Sequence, residues 1–308
     1  MDLLYLLEKI RTPGLNELML LITRLGEETA FLVVALIVFW CVDKRRGYFI
    51  MAVGFMGTMI NQVLKLVCAV PRPWVLDPEF TILEQAREAA SGYSFPSGHT
   101  STAVGTFGAF AATEKRRWVA VAAIVLAALV GFSRMYVGVH TPYDVLAGAL
   151  CALVLVFACR NVVMQEKTKG MYVLLGIMLV MGIGYLLYVE FFPFPGDIDE
   201  ANLLSATKNA YTMIGCLAGV VVVYFGEKKW VKFETEGKCW VQLIKIVLGL
   251  ALVLAVKSGL KAPLNLLCGG ELLGRAVRYF LIVLTAGFLW PMTFSFWNKL
   301  DKSQEKRS

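Results

Sequence analysis

Met171-Tyr172-Val173-Leu174-Leu175-Gly176-Ile177-Met178-Leu179-Val180-Met181-Gly182-Ile183-Gly184-Tyr185-Leu186-Leu187-Tyr188-Val189 contains no charged residue. Coiled as a helix rising 1.5 Å per residue, it covers nearly the ~30 Å of a bilayer's hydrocarbon. Comparable runs predict further spans at about 27–42, 48–70, 98–112, 118–133, 143–159, 210–225, 241–256 and 277–297. Of the 308 residues, 58% are hydrophobic and only 17% charged, with a mean hydropathy of +0.66. A soluble domain carries about a quarter charged residues. The expected fold is therefore all-α, a polytopic transmembrane bundle of about nine spans. Residues 1–26 differ: Leu3, Leu4, Leu7 and Ile10, then Leu18, Leu20, Leu21 and Ile22 beyond Pro13-Gly14, form an amphipathic segment suited to the interface. Its charges and its Pro-Gly break do not fit a cleavable signal peptide.

The seven cysteines, Cys41, Cys68, Cys151, Cys159, Cys216, Cys239 and Cys268, are scattered through or beside apolar runs. None forms a Cys-x-x-Cys pair or sits at ligand spacing from a histidine, so they read as small apolar residues; with only two histidines beside them a zinc site is not expected, and no cofactor is assigned. The net charge of +7 reports on topology rather than on nucleic acid. Basic residues gather at Lys44, Arg45 and Arg46; at Lys115, Arg116 and Arg117; at Arg160, Lys167 and Lys169; at Lys228, Lys229, Lys232 and Lys238; and at Lys299, Lys302, Lys306 and Arg307. These segments alternate along the chain, which places all five on the cytoplasmic side, with the N-terminus outside and the C-terminus inside. The intervening 190–209 loop carries Glu190, Asp197, Asp199 and Glu200 against a single Lys208. Lys257, Lys261, Arg275 and Arg278 dissent, falling on the outer side, where they pack on protein or meet anionic headgroups.

Under that layout three polar segments share the outer face, and the chain's two histidines lie in them. Imidazole is the side chain best suited to proton transfer and nucleophilic work near neutral pH. The first segment holds Lys65 and Arg72, seven residues apart, a spacing that puts them two helical turns apart on one face. A lysine inside an apolar span is costly and usually functional; the alternative is a snorkelling Lys65 and an Arg72 that caps the helix. The second, Gly92-Tyr93-Ser94-Phe95-Pro96-Ser97-Gly98-His99, reads as a capped helix start whose free N–H groups suit an anion. Gly98 lets backbone approach a phosphate, and His99 falls in the first turn; the alternative is an ordinary capped helix with an interfacial histidine. The third runs from Ser133-Arg134 to His140-Thr141-Pro142-Tyr143-Asp144. Thr141, Pro142 and Asp144 form a capping-box-like start. Asp144 is either a cap alone or also the carboxylate that fixes the His140 tautomer. Arg134 offers a fork of donors matched to phosphate oxygens.

Lys-x6-Arg-Pro, Pro-Ser-Gly-His and Ser-Arg-x5-His-x3-Asp, in this order, resemble the signature of the type 2 phosphatidic acid phosphatase superfamily, the lipid phosphate phosphatases. The resemblance covers roughly residues 1–160, including Ile22-Thr23-Arg24-Leu25-Gly26. It implies a metal-independent phosphatase in which His140 attacks phosphorus to give a phosphohistidine and Asp144 orients it. By the same resemblance His99 is the acid and then the base, while Lys65, Arg72, Ser97, Gly98, Ser133 and Arg134 hold the phosphate. Residues 1–165 would form this phosphatase core and residues 166–308 would add transmembrane helices of unassigned role.

The implied partners are a lipid phosphate or diphosphate and membrane lipid, with the site on the non-cytoplasmic face of the plasma (inner) membrane and no nucleic acid. A water-soluble ester, a phosphotransferase using the same residues, and an anionic-lipid transporter are the competing readings. The nine-span layout is closer to the glucose-6-phosphatase and sphingoid-phosphate phosphatase branches. In the C-terminal half, Phe191-Phe192-Pro193-Phe194-Pro195-Gly196-Asp197 roofs the site, lines lipid entry or forms an interfacial aromatic belt. Gly215 and Gly219 form a small-xxx-small pattern expected to pack helices within the chain, and residues 226–240 read as a loop resting on anionic lipid.

Overall fold

The computed structural model describes residues 1–90, 92–165, 168–196 and 198–305, without the side chains of residues 89 and 300–305. Lys167, Asp197, Lys306 and Arg307, and the side chain of Lys302, thus lie outside the described residues. Every regular element described is helical. In chain order the α-helices are α1 Asp2–Lys9, α2 Pro13–Thr23, α3 Glu28–Cys41, α4 Lys44–Cys68, α5 Pro73–Leu76, α6 Gly98–Thr113 and α7 Arg117–Tyr136. They continue with α8 Pro142–Met164, α9 Thr168–Phe191, α10 Glu200–Gly226, α11 Cys239–Gly259, α12 Lys261–Leu267, α13 Glu271–Leu284 and α14 Phe294–Glu305.

Among the described residues, 7 helices are long and apolar enough to cross a membrane. They match the expected spans except the first and third, which fall on α3, 14 residues long, and α6, 16 residues long. Both are shorter than the ~20 residues a perpendicular span needs. Two helices start well before their apolar stretch. α10 starts at Glu200, ten residues before the apolar run, because Asp199 Oδ1 accepts from the N–H groups of Ala201 at 2.9 Å and Asn202 at 3.1 Å. α13 starts at Glu271. Hydropathy marks where a helix meets lipid, not where its hydrogen bonding begins.

The chain divides into two compact units. The first comprises Met1–Ala35, Phe49–Gly170 and Pro193–Ala206. Its centre is α6, packed along α7 and α8. Small residues allow this: a Cβ on Gly148 of α8 would meet the Ser97 carbonyl oxygen at 2.5 Å, and one on Gly105 of α6 would meet Val53 of α4 at 3.1 Å. The amphipathic start folds as α1 and α2, and the Pro13-Gly14 break proves to be the first turn of α2. Leu4, Leu7 and Met19 are buried while Leu3, Leu6, Leu18 and Leu21 are exposed, and both helices pack against α7. Arg11 ties this segment down by donating to the carbonyls of Tyr136 at 3.1 Å and Thr81 at 2.9 Å.

The second unit comprises Leu36–Tyr48, Met171–Phe192 and Thr207–Ser308. Here Gly215 of α10 lies directly against the Ala276 carbonyl of α13, and a Cβ on Gly219 would meet Val283 at 2.8 Å. The small-residue pattern therefore packs helices within the chain. Lys245 is fully buried in α11, where it donates to the carbonyls of Glu234 at 3.3 Å and Glu236 at 3.0 Å and lies 4.8 Å from the centre of the Phe294 ring. Two indoles cross-link the unit, Trp40 to the Ala286 carbonyl at 2.8 Å and Trp290 to that of Lys245 at 3.0 Å. Of the dissenting basic residues, Arg275 pairs with Glu271 at 3.6 Å, and Arg278 is buried. Packing on protein thus accounts for these two.

Candidate active site

Lys65 and Arg72 do not share a helical face. α4 ends at Cys68, Ala69 takes a left-handed φ of 46°, and Pro71 bars continuation, so helix resumes only at Pro73, the first residue of the short α5. The break turns Arg72 back over the site. Its Nε donates to the Gly92 carbonyl at 2.8 Å, and one terminal nitrogen donates to the Val139 carbonyl at 2.9 Å. That same nitrogen lies 3.0 Å from His140 Nε2. Arg72 therefore joins all three polar segments, although it is buried and sits on no long helix.

The second segment starts α6 as its residues suggest. Ser97 is the N-cap, accepting from the Thr100 N–H at 3.4 Å and the Thr100 hydroxyl at 2.9 Å, so Gly98 and His99 occupy the first turn. The Ser97 N–H in turn donates to the Asp144 carbonyl at 2.9 Å, fastening this turn to the third segment. A Cβ on Gly26 would lie 2.8 Å from the His99 carbonyl oxygen, so glycine lets the N-terminal segment close against this turn.

The third segment forms a complete capping box. Thr141 Oγ1 accepts from the Asp144 N–H at 3.3 Å, and Asp144 Oδ2 accepts from the Thr141 N–H at 2.7 Å. The same oxygen lies 3.5 Å from His140 Nδ1, so Asp144 caps α8 and faces the imidazole together. Ser94 completes this corner: its hydroxyl donates to Asp144 Oδ2 at 2.7 Å and lies 3.4 Å from His140 Nδ1. His140 and Asp144 are 1% and 2% exposed. Burial first, and then the cations Arg72, Arg134 and Lys65, push the His140 imidazole well below its ordinary pKa, so it is neutral near pH 7.

A cavity of about 330 Å³ within the first unit is lined by Lys65, Arg72, Gly98, His99 and His140. Five of the nine residues singled out from the sequence thus border one space. The other four lie behind it. Ser97 caps α6, Asp144 backs His140, and Ser133 donates to the Val130 carbonyl at 2.7 Å. Arg134 is fully buried, with one terminal nitrogen donating to Thr23 Oγ1 at 2.7 Å. Its Nε and other terminal nitrogen, like His99 Nε2, have no hydrogen-bond partner among the described residues. Buried guanidinium donors left open in this way suit an incoming anion. Among the described residues no three His, Cys, Asp or Glu side chains are grouped to hold a metal.

Sequence reasoning passed over Ser94, Thr23 and Asn61. Ser94 and Thr23 lie in stretches it quoted, yet a lone hydroxyl announces no partner. Asn61 lines the cavity and precedes Lys65 by four residues on α4, hence lies on its face. That spacing was the available signal.

Residues 45–168, which contain all three segments, match the PAP2 superfamily, and residues 211–302 match the PAP2 superfamily phosphatase transmembrane extension. Phosphatidylglycerophosphatase B of Bacillus subtilis is 32% identical over 175 residues, 52% of this chain and 80% of that protein. An undecaprenyl-diphosphatase of Sulfolobus acidocaldarius is 30% identical over 151 residues, 48% of this chain and 71% of that protein. A probable sphingosine-1-phosphate phosphatase of Dictyostelium discoideum is 29% identical over 147 residues, 44% and 35% of the two chains. No solved structure matches at a comparable level. With both of its helical segments matched and its three polar turns gathered at one cavity, the chain belongs to the PAP2 superfamily of membrane phosphatases.

Proposed function

We propose that this protein hydrolyses a lipid phosphate or diphosphate through a phosphohistidine on His140. The observation that carries the reading is the placement of the two imidazoles. Both line one cavity with Lys65 and Arg72, while a carboxylate stands at His140 Nδ1. With Asp144 and Ser94 at Nδ1, the neutral ring keeps its proton there and presents the Nε2 lone pair to the cavity. A phosphate draws the Arg72 guanidinium onto its oxygens and frees that lone pair.

Nε2 then forms the P–N bond as the P–O bond to the leaving group breaks. His99 gives its proton to the departing oxygen, and Asp144 stabilises the imidazolium. In the second half His99 takes a proton from water, the water oxygen bonds phosphorus, and the P–N bond breaks to release phosphate. Lys65, Arg72 and Arg134 hold the equatorial charge, with the Gly98 backbone and the Ser97 and Ser133 turns shaping the cradle.

The ends of α4, α6, α7 and α8 that meet here sit opposite the basic 113–118 link. We therefore place the site on the non-cytoplasmic face of the plasma membrane, where a headgroup enters sideways while its tail stays in lipid. Residues 1–165 are the catalytic part in this reading, with 166–308 as a membrane extension. The test is phosphate release from phosphatidylglycerophosphate, phosphatidic acid and undecaprenyl diphosphate by detergent-purified protein in chelator. Wild type turns over at least one, and His99→Ala and His140→Ala lose ~10²-fold or more. Equal activity in His140→Ala overturns the proposal, and loss of wild-type activity on chelation overturns its metal independence.

A further inference from the structure

The cavity has a second wall, supplied by a segment outside both matched regions. Asn202 and Ser205, in the first turns of α10, line it together with Tyr93 and with Gln62, which lies one helical turn before Lys65 on α4. Their placement is fixed. The Tyr93 hydroxyl accepts from the Asp199 N–H at 3.3 Å, and Asp199 caps the helix that carries Asn202. Gly92 has a φ of 80°, and a Cβ there would meet Asn202 Oδ1 at 2.9 Å and Lys65 Nζ at 4.0 Å. The Asn202 amide thus stands beside the cationic end of the cavity, on the turn whose carbonyl Arg72 holds.

We propose that Asn202 and Ser205 are specificity-determining residues that read a hydroxyl on the carbon next to the phosphoester in the leaving alcohol. The chemistry of the wall favours this group. The cations already meet the phosphate charge, and an amide and a hydroxyl both donate and accept, as an alcohol does. A purely hydrocarbon or acylated neighbour would be pressed against these polar groups without returning their hydrogen bonds. At about 330 Å³ the cavity lies at the small end of ligand sites, a fit for a phosphate with a short polar stub while the lipid tail remains outside. The inference rests on the phosphatase reading above and narrows its substrate class.

The test compares kcat/KM of the full chain in detergent on three phosphomonoesters. Phosphatidylglycerophosphate carries the neighbouring hydroxyl on a lipid, phosphatidic acid is a lipid without it, and glycerol 3-phosphate carries it without a tail. Wild type should favour phosphatidylglycerophosphate over phosphatidic acid by ~10-fold or more, and Asn202→Ala/Ser205→Ala should bring that ratio toward one by losing activity on the first. An unchanged ratio in the variant overturns the inference while leaving the phosphatase reading intact. Equal use of glycerol 3-phosphate, lost equally in the variant, overturns the lipid assignment. Silence of wild type on all three while undecaprenyl diphosphate is hydrolysed overturns this inference alone, and silence on that diphosphate as well overturns the phosphatase reading with it. Ser205 is exposed, so Ser205→Ala alone carries the comparison, with a smaller change in the same ratio, if the double variant does not fold.

Discussion

Asp144 Oδ2 accepts hydrogen bonds from the Thr141 N–H and the Ser94 hydroxyl, both at 2.7 Å, while lying 3.5 Å from His140 Nδ1. One oxygen therefore ends a helix and faces the reactive ring. An amide can still accept the capping bond but carries no charge to stabilise an imidazolium. Asp144→Asn should leave thermal stability within ~1 kcal/mol and lower kcat by roughly 10²–10⁴-fold. Ser94→Ala should give a smaller loss of about 10-fold by loosening the carboxylate. Steady-state kinetics beside a melting curve separates the two roles. Activity lost only in step with stability would reduce Asp144 to a cap.

The pH profile follows from the surroundings of His140. Burial and three cations hold its pKa well below the ordinary histidine value, and protonation of Nε2 abolishes the nucleophile. The acidic limb of kcat/KM should therefore lie below the usual histidine range. Arg72→Gln removes one of those cations, so that limb should move to higher pH while kcat falls by ~10²-fold or more. A limb that stays in place would separate Arg72 from the titrating group.

Gly148 controls how closely α8 meets the turn before α6. Its substitution by alanine places a methyl group 2.5 Å from the Ser97 carbonyl, and backbone on both sides leaves nothing flexible to yield. Gly148→Ala should destabilise the protein by about 1–3 kcal/mol and depress activity by displacing Gly98 and His99. A thermal melt in detergent and kcat on the same sample check both.

In the second unit Gly219→Val should lower the melting temperature, because its Cβ already meets Val283 at 2.8 Å, while the first unit's site residues remain untouched. The measurement is the melt followed beside phosphate release at a temperature below both transitions. A tighter dimer with an unchanged melt would instead mark this face as intermolecular.

Much of this architecture is legible in the residues. An uncharged run such as 171–189 has one stable form in hydrocarbon, a helix that satisfies its own backbone, and α9 spans it. Capping is equally local: Ser97 and Thr141-Pro142-x-Asp144 start α6 and α8 where they stand in the sequence. Seven-residue spacing misled at Lys65 and Arg72, because periodicity assumes a continuous helix and Ala69 and Pro71 break it. The Ser94–Asp144 bond and the Thr23–Arg134 bond join residues 50 and 111 apart, and no local pattern encodes such pairings. The wall from α10 was hidden for the same reason, since Asn202 lies 62 positions beyond His140 in the sequence and meets the cavity only through tertiary folding.

The central claim is that phosphorus is transferred to His140. Rapid quenching of the purified protein with a lipid phosphate radiolabelled on phosphorus, in chelator, tests it most directly. The account predicts an acid-labile, base-stable label on the peptide containing His140, formed before phosphate appears and absent from His140→Ala. Wild-type turnover retained by His140→Ala, or label that accumulates on another residue, would contradict it.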